Sequence, residues 1–178
     1  MCGIAGLFHP DVPKPVDPQR VQAMADALAH RGPDGSGVWT APGVGLGHRR
    51  LSIIDLETGD QPMRSADGRL ALTYNGEIYN FREVKAELEA LGHAFSTASD
   101  TEVVLAGWRQ WGPDCLRRFN GMFAFALYDA GEDILFLARD RLGVKPLYLA
   151  TLPDGALVFA SELKGLLAHP LLRRSPSP

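Results

Sequence analysis

Four apolar runs follow one another closely near the end of the chain, over 123–128, 134–138, 147–151 and 156–160. Their connections, 129–133, 141–143 and 152–155, are too short to carry a helical crossover, so neighbouring strands must pair antiparallel. Several of these runs are apolar at every position, not at alternate ones. A strand of that kind is covered on both faces, which calls for a further layer on each side of its sheet. The reading is an α+β sandwich with two helical faces, not a chain of βαβ units.

The earlier part of the chain supplies the remaining layers. Residues 4–8 form a short apolar strand that ends in a breaker-rich stretch from His9-Pro10 to Pro15. Asp17-Pro18 then opens a helix, the aspartate capping it and the proline taking its first position. Val21, Met24, Ala25 and Leu28 share one face of that helix. It stops at His30-Arg31-Gly32-Pro33-Asp34-Gly35. Strands are expected over 37–40, 44–54 and 70–74, with turns at Gly59-Asp60-Gln61-Pro62 and Ala66-Asp67-Gly68. Asn75-Gly76-Glu77 follows the third strand and has the composition of a tight hairpin turn. Asn80, with Glu83 three residues on, predicts a capping box for a helix that runs to Gly92. A brief extended piece covers 95–97. Asp100 is placed as the cap of a helix over 101–111, and Cys115 after it as a buried small hydrophobe. A short helix over 162–168 precedes a tail, 170–178, of linker composition.

Charge and length exclude several classes of function. The 178 residues carry a formal net charge of −3, which gives no footing for a nucleic-acid or membrane surface. No apolar run approaches the roughly 20 residues of a spanning helix. Two cysteines, Cys2 and Cys115, are too few for a disulfide framework, and the expected location is cytoplasmic. His9, His30, His48, His93 and His169 are scattered, and no pair has ligand spacing.

Chemistry is concentrated at the start. Removal of Met1 would leave Cys2 carrying both a thiol and a free α-amine. Reference pKa values of roughly 8.5 and 7.7–8.0 make that amine a competent proton acceptor near neutrality. Nucleophile and base would then share one Cα, with no separate histidine. Gly3 and Gly6 keep this strand lean enough for close approach of a substrate. Two other readings stay open at this point: Cys2 as an ordinary strand residue, and Cys2 as a nucleophile served by His30 or His48. Arg50 offers a planar fork suited to a carboxylate and lies in an otherwise apolar run. Asn75 and Gly76 could present a side-chain amide and a backbone N–H to a developing oxyanion. Asp100 could hold an ammonium group while capping its helix.

The wording of these segments adds to their chemistry. Cys2-Gly3-Ile4-Ala5-Gly6, His30-Arg31-Gly32-Pro33-Asp34, Arg50-Leu51-Ser52-Ile53, Asn75-Gly76-Glu77-Ile78-Tyr79-Asn80 and Ser99-Asp100-Thr101-Glu102 resemble the class II, N-terminal-nucleophile glutamine amidotransferases. Three later segments are similar to the glutaminase half of glutamine-hydrolysing asparagine synthetases. They are Gly121 to Asp129, Arg139-Asp140-Arg141-Leu142-Gly143-Val144-Lys145-Pro146-Leu147-Tyr148, and Phe159 to Lys164. The resemblance spans Cys2 to about His169.

It implies a four-layer α/β/β/α sandwich of two antiparallel sheets, in a domain over 2–169. It also implies that Cys2 attacks the glutamine side-chain amide, with Asn75 and Gly76 as the oxyanion hole. Arg50 would hold the substrate carboxylate, Leu51 and Ile53 would line the pocket, and Glu77 and Asp100 would grip the substrate ammonium. A thioester, ammonia and then glutamate would follow. No cofactor is implied for this chain; ATP and Mg would serve a synthetase domain, as separate domain or subunit, for which no motif occurs here. A homodimer is compatible with the family. The acceptor of ammonia could differ from aspartate, and a glutamine-binding module without turnover is the non-enzymatic alternative.

Overall fold

The computed structural model describes residues 1–11, 14–51 and 59–173. Every strand pairing in it is antiparallel. One sheet contains β1 (Gly3–Phe8), β2 (Gly35–Ala41), β3 (Val44–Arg50), β8 (Tyr148–Thr151) and β9 (Leu157–Ala160), in the order β2-β3-β1-β9-β8. The second contains β4 (Met63–Arg64), β5 (Leu70–Ile78), β6 (Gly121–Asp129) and β7 (Ile134–Arg139), in that order.

Three apolar clusters mark three interfaces, and so four layers. Helices α1 (Pro18–Asp26) and α4 (Leu163–Leu167) cover the outer face of the first sheet. There Val21, Met24 and Leu28 pack on Ala5, Leu7 and Val158. Helices α2 (Phe81–Ala90) and α3 (Asp100–Trp111), with a 3₁₀ turn over Gly112–Arg117, cover the outer face of the second. Leu88, Val104 and Trp108 meet Leu72, Phe125 and Leu127 in that cluster. Between the sheets, Ile4, Leu46 and Phe159 from the first face Ala71, Ala124 and Ala126 from the second. Large side chains opposite small ones let the sheets approach closely. Each fully buried Leu, Ile or Phe contributes about 1.5–3 kcal/mol of transfer free energy.

Strand periodicity places the chemistry. On β1, Ile4 and Phe8 point between the sheets while Ala5 and Leu7 point outward. Cys2, two residues before Ile4, therefore belongs to the inner side. On β5, Ala71 is in the inter-sheet cluster while Leu70, Leu72 and Tyr74 are in the outer one. Asn75 thus faces inward as well, toward the end of β1. Gly6 is needed at the crossing: a Cβ there would lie 2.4 Å from the Gly45 carbonyl and 2.5 Å from the Phe159 ring.

Several sequence expectations are corrected. Asn75-Gly76-Glu77 is not a hairpin turn, because β5 runs through it and pairs with β6 as far as Ile78↔Gly121. Nine residues of ladder on one partner outweigh the turn preference of a dipeptide. Ser99, not Asp100, caps α3, its hydroxyl accepting the Thr101 N–H at 3.1 Å. Asn80 forms no capping box; its side chain accepts the Asn120 N–H at 2.8 Å and donates to the Arg118 carbonyl at 2.9 Å, tying α2 to the entry of β6. The strand expected over 44–54 ends at Arg50, and 52–54 lie outside the described residues. The two-residue strand β4 went unread because two residues carry no alternation to detect. Among the described residues no helix is long and apolar enough to cross a membrane.

Candidate active site

A cavity of ≈ 150 Å³ opens where the ends of β1 and β3 meet the second half of β5 and the start of α3. Cys2, Arg50, Leu51, Asn75, Gly76, Glu77 and Asp100 all line it. Ile53, the remaining sequence-predicted pocket residue, lies outside the described residues. A larger cleft of ≈ 700 Å³ runs between β4 and α3 and contains none of these residues.

The Cys2 thiol is held by the backbone of Leu51: Sγ accepts the Leu51 N–H at 3.4 Å and donates to the Leu51 carbonyl at 3.6 Å. Behind it, Arg31 Nε donates to the Cys2 carbonyl at 2.9 Å. Arg31 Nη1 also meets Glu162 Oε1 at 2.8 Å. Burial alone would raise the Glu162 carboxyl, but bonds from Arg31, His30 and Lys164 bring it down to about 2. This charged brace explains the His30-Arg31-Gly32 segment, which the sequence revealed as a helix stop and family motif but not as a site element. Gly32 belongs to it by close approach, since a Cβ would lie 2.3 Å from the Arg49 carbonyl.

Across the cavity, the edge of β5 beyond its short pairing with β4 supplies donors. Tyr74 N–H donates to Gln61 Oε1 at 2.6 Å, and Ile78 N–H donates to Asp100 Oδ2 at 3.0 Å. Both point away from β6. By the two-residue period, the Gly76 N–H between them points to the same open edge. Among the described residues, the buried Asn75 Nδ2 has no hydrogen-bond partner. A buried amide left in that state costs free energy unless a ligand or water completes it. Gly76 is glycine for packing and not for a turn: a Cβ would lie 2.5 Å from the Met122 carbonyl.

At the far end, Asp100 is 4 % exposed. Burial raises its carboxyl, while the Tyr74 hydroxyl at 2.7 Å and the Ile78 N–H pull it back. Tyr74 in turn is pushed well above the ordinary phenol range by burial and by the Asp100 charge. Arg50, its side chain 12 % exposed, reaches Asp60 Oδ1 at 3.1 Å on the rim. Lys145 also lines the cavity, although sequence reading gave it no role beyond its motif. The arrangement thus places a thiol, an amide donor, an arginine fork and a buried carboxylate around one small volume. The histidines stand apart: neither His30 nor His48 lines the cavity.

A family model described as a glutamine amidotransferase domain matches residues 1–177. The chain belongs to the glutamine amidotransferase domain family. It is 44% identical to asparagine synthetase (glutamine-hydrolysing) 3 of Bacillus subtilis, over 96% of this chain and 28% of that protein. Asparagine synthetase B of Escherichia coli is 40% identical, over 94% of this chain and 30% of its own length. Among solved structures, the glutamine phosphoribosylpyrophosphate amidotransferase of B. subtilis superposes with a TM-score of 0.74 at 26% identity, over 93% of this chain and 43% of that one. This amidotransferase domain therefore spans less than a third of the asparagine synthetases it resembles. The two-sheet α+β sandwich expected from the sequence agrees with that structural neighbour.

Proposed function

We propose that this amidotransferase domain hydrolyses glutamine to glutamate and ammonia, with Cys2 as the nucleophile once Met1 is removed. Met1 itself lines the cavity, so its departure both frees the amine and enlarges the space for substrate. The substrate carboxylate lies against Arg50 and its ammonium between Glu77 and Asp100, which presents the side-chain amide to Cys2. The α-amine takes the thiol proton as sulfur attacks the amide carbon. Oxygen of the tetrahedral intermediate is held by Asn75 Nδ2 and the Gly76 N–H. The amine returns its proton to the leaving nitrogen, ammonia departs, and a Cys2 thioester remains. Water activated by the same amine then releases glutamate and restores the thiol.

One observation carries this reading: the Asn75 amide, without a partner among the described residues, lies in the same ≈ 150 Å³ cavity as Cys2 and Arg50. Such a donor lacks only an oxygen. Ammonia released here would pass to a synthetase-type domain or subunit that activates aspartate with ATP, in keeping with the greater length of the asparagine synthetase relatives. The test is glutamine hydrolysis by the purified chain, together with labelling of Cys2 by a glutamine-like electrophile. Turnover that disappears in Cys2→Ala while glutamine still binds supports the proposal; binding by the wild-type chain without turnover would make the site a glutamine sensor instead.

A further inference from the structure

Lys145 is 4 % exposed, an unusual state for a lysine. Its backbone is fixed on both sides: its N–H donates to Asp140 Oδ2 at 2.9 Å and its carbonyl accepts from Arg139 Nε at 2.6 Å. Asp140 is held in place by the Phe123 and Val144 N–H groups as well, so the loop that carries Lys145 is anchored to β6. The side chain extends from there into the Cys2 cavity. Among the described residues its ammonium has no hydrogen bond or ion pair. Its ammonium opens onto the cavity rather than being sealed in protein, and a cation lining so small a space favours a negative charge that forms there.

The surrounding groups identify where that charge arises. Arg31, from the turn after α1, is a second cation whose field opposes protonation of Lys145, while Cys2, Glu77 on β5 and Asp140 favour it. Burial is the largest influence, and it lowers the lysine from its usual range. Arg50 and Asp100 line the same cavity, the first with Asp60 at 3.1 Å and the second bonded to Tyr74 and Ile78. Glu77 is given to the substrate ammonium in the proposed reaction. Two negative charges form during the proposed turnover, and the intermediate's oxygen is given to Asn75 and Gly76, which leaves the Cys2 sulfur for Lys145.

We infer that Lys145 is an electrostatic positioning residue of this site, its ammonium stabilising the Cys2 thiolate against the neutral thiol. The lysine keeps its proton throughout; the thiol proton goes to the α-amine and the sulfur lone pair to the substrate carbon. The same positive charge disfavours protonation of the neighbouring amine and so keeps it ready as a base. This role rests on the proposed reaction, but its first readout does not require turnover.

The experiment follows the rate of Cys2 alkylation by iodoacetamide against pH in the mature chain, for wild type, Lys145→Met and Lys145→Arg. Loss of a nearby cation should raise the alkylation midpoint by about one pH unit. It should also lower kcat/KM for glutamine at pH 7 by about tenfold and move the acid limb of the profile upward. Lys145→Arg, which retains the charge, should stay near the wild-type midpoint. Cys115 is fully buried and its thiol is pushed up to about 12, so its alkylation reports unfolding. If Lys145→Met exposes Cys115, Lys145→Gln provides the neutral comparison. Midpoints unchanged in the neutral variants, or displaced equally in Lys145→Arg, would overturn the inference. A wild-type chain inert toward glutamine would end the proposed reaction and leave the midpoints to decide Lys145.

Discussion

The Tyr74 hydroxyl donates to Asp100 Oδ2 at 2.7 Å, joining a sheet residue to the first residue of α3 at the closed end of the cavity. Both groups are almost wholly buried. Burial raises the Asp100 carboxyl, and the Tyr74 bond is among the interactions that keep it ionised. Tyr74→Phe removes that donor, so protonation of Asp100 becomes easier and the hold on the substrate ammonium weakens. A hydrogen bond to a charged group is worth about 1.5–3 kcal/mol, so KM for glutamine should rise by up to about ten- to a hundredfold. The carboxylate is lost as pH falls, so the KM ratio of variant to wild type should grow from pH 8 to pH 5.5. Steady-state kinetics across that range is the check.

Asn75→Ala removes the amide that has no partner within the described structure. Loss of one oxyanion donor lowers kcat by about 10²–10³. KM should change little, because the oxyanion exists only after attack. Stability should change little as well, since no intramolecular bond is broken. Kinetics and thermal unfolding of the same preparation separate these expectations from a merely disruptive substitution.

Arg50→Lys retains the charge but replaces a planar fork with a point donor. The Asp60 contact at 3.1 Å can form with either side chain, whereas bidentate capture of a carboxylate cannot. KM for glutamine should rise about tenfold or more with kcat nearly preserved. An unchanged KM would remove the carboxylate role from Arg50.

His48 links the sheets, its Nδ1 3.1 Å from Thr73 Oγ1, whose hydroxyl donates to the Gly47 carbonyl. That hydroxyl's proton is committed, so Nδ1 is the protonated nitrogen and the imidazole is neutral. Full burial, with the nearby Arg50 charge, lowers His48 to about 3. A histidine lowered in the folded state binds fewer protons there than when unfolded. Stability is therefore complete above about pH 6.5 and declines as pH falls toward 3. The slope from this one residue approaches about 1.4 kcal/mol per pH unit, which amounts to about 2 kcal/mol between pH 6.5 and 4.5. Urea unfolding at those two values should show a smaller loss in His48→Gln than in wild type. The window lies above most carboxylate titration, and comparison with the variant removes the parallel effect of His169, also lowered by burial.

The sequence disclosed the layers more readily than the site's geometry. Apolar runs without alternation required cover on both faces, and Val21, Met24, Ala25 and Leu28 are fully buried as the helical spacing demanded. Asn75-Gly76 was misread locally as a turn, yet both residues line the cavity beside Cys2, where the proposed reaction uses them. Its glycine answers to a cross-strand contact with Met122, which only the sheet register reveals. Asp100 was expected to hold an ammonium group while capping its helix; it lines the cavity, and Ser99 performs the capping. Arg31 and Lys145 escaped because their chemistry is long-range. One braces Cys2 from twenty-nine residues away through Glu162, and the other enters the cavity from a loop beyond β7. No spacing rule connects such positions before the sheets are assembled.

Everything in the proposed reaction requires that sulfur and base belong to the same terminal residue. Intact-mass analysis of chromatographically separated species, each assayed for glutamine hydrolysis, tests that requirement most directly. Turnover should reside wholly in chains beginning at Cys2 and be absent from those that retain Met1. Equal turnover by the Met1-bearing species would contradict it.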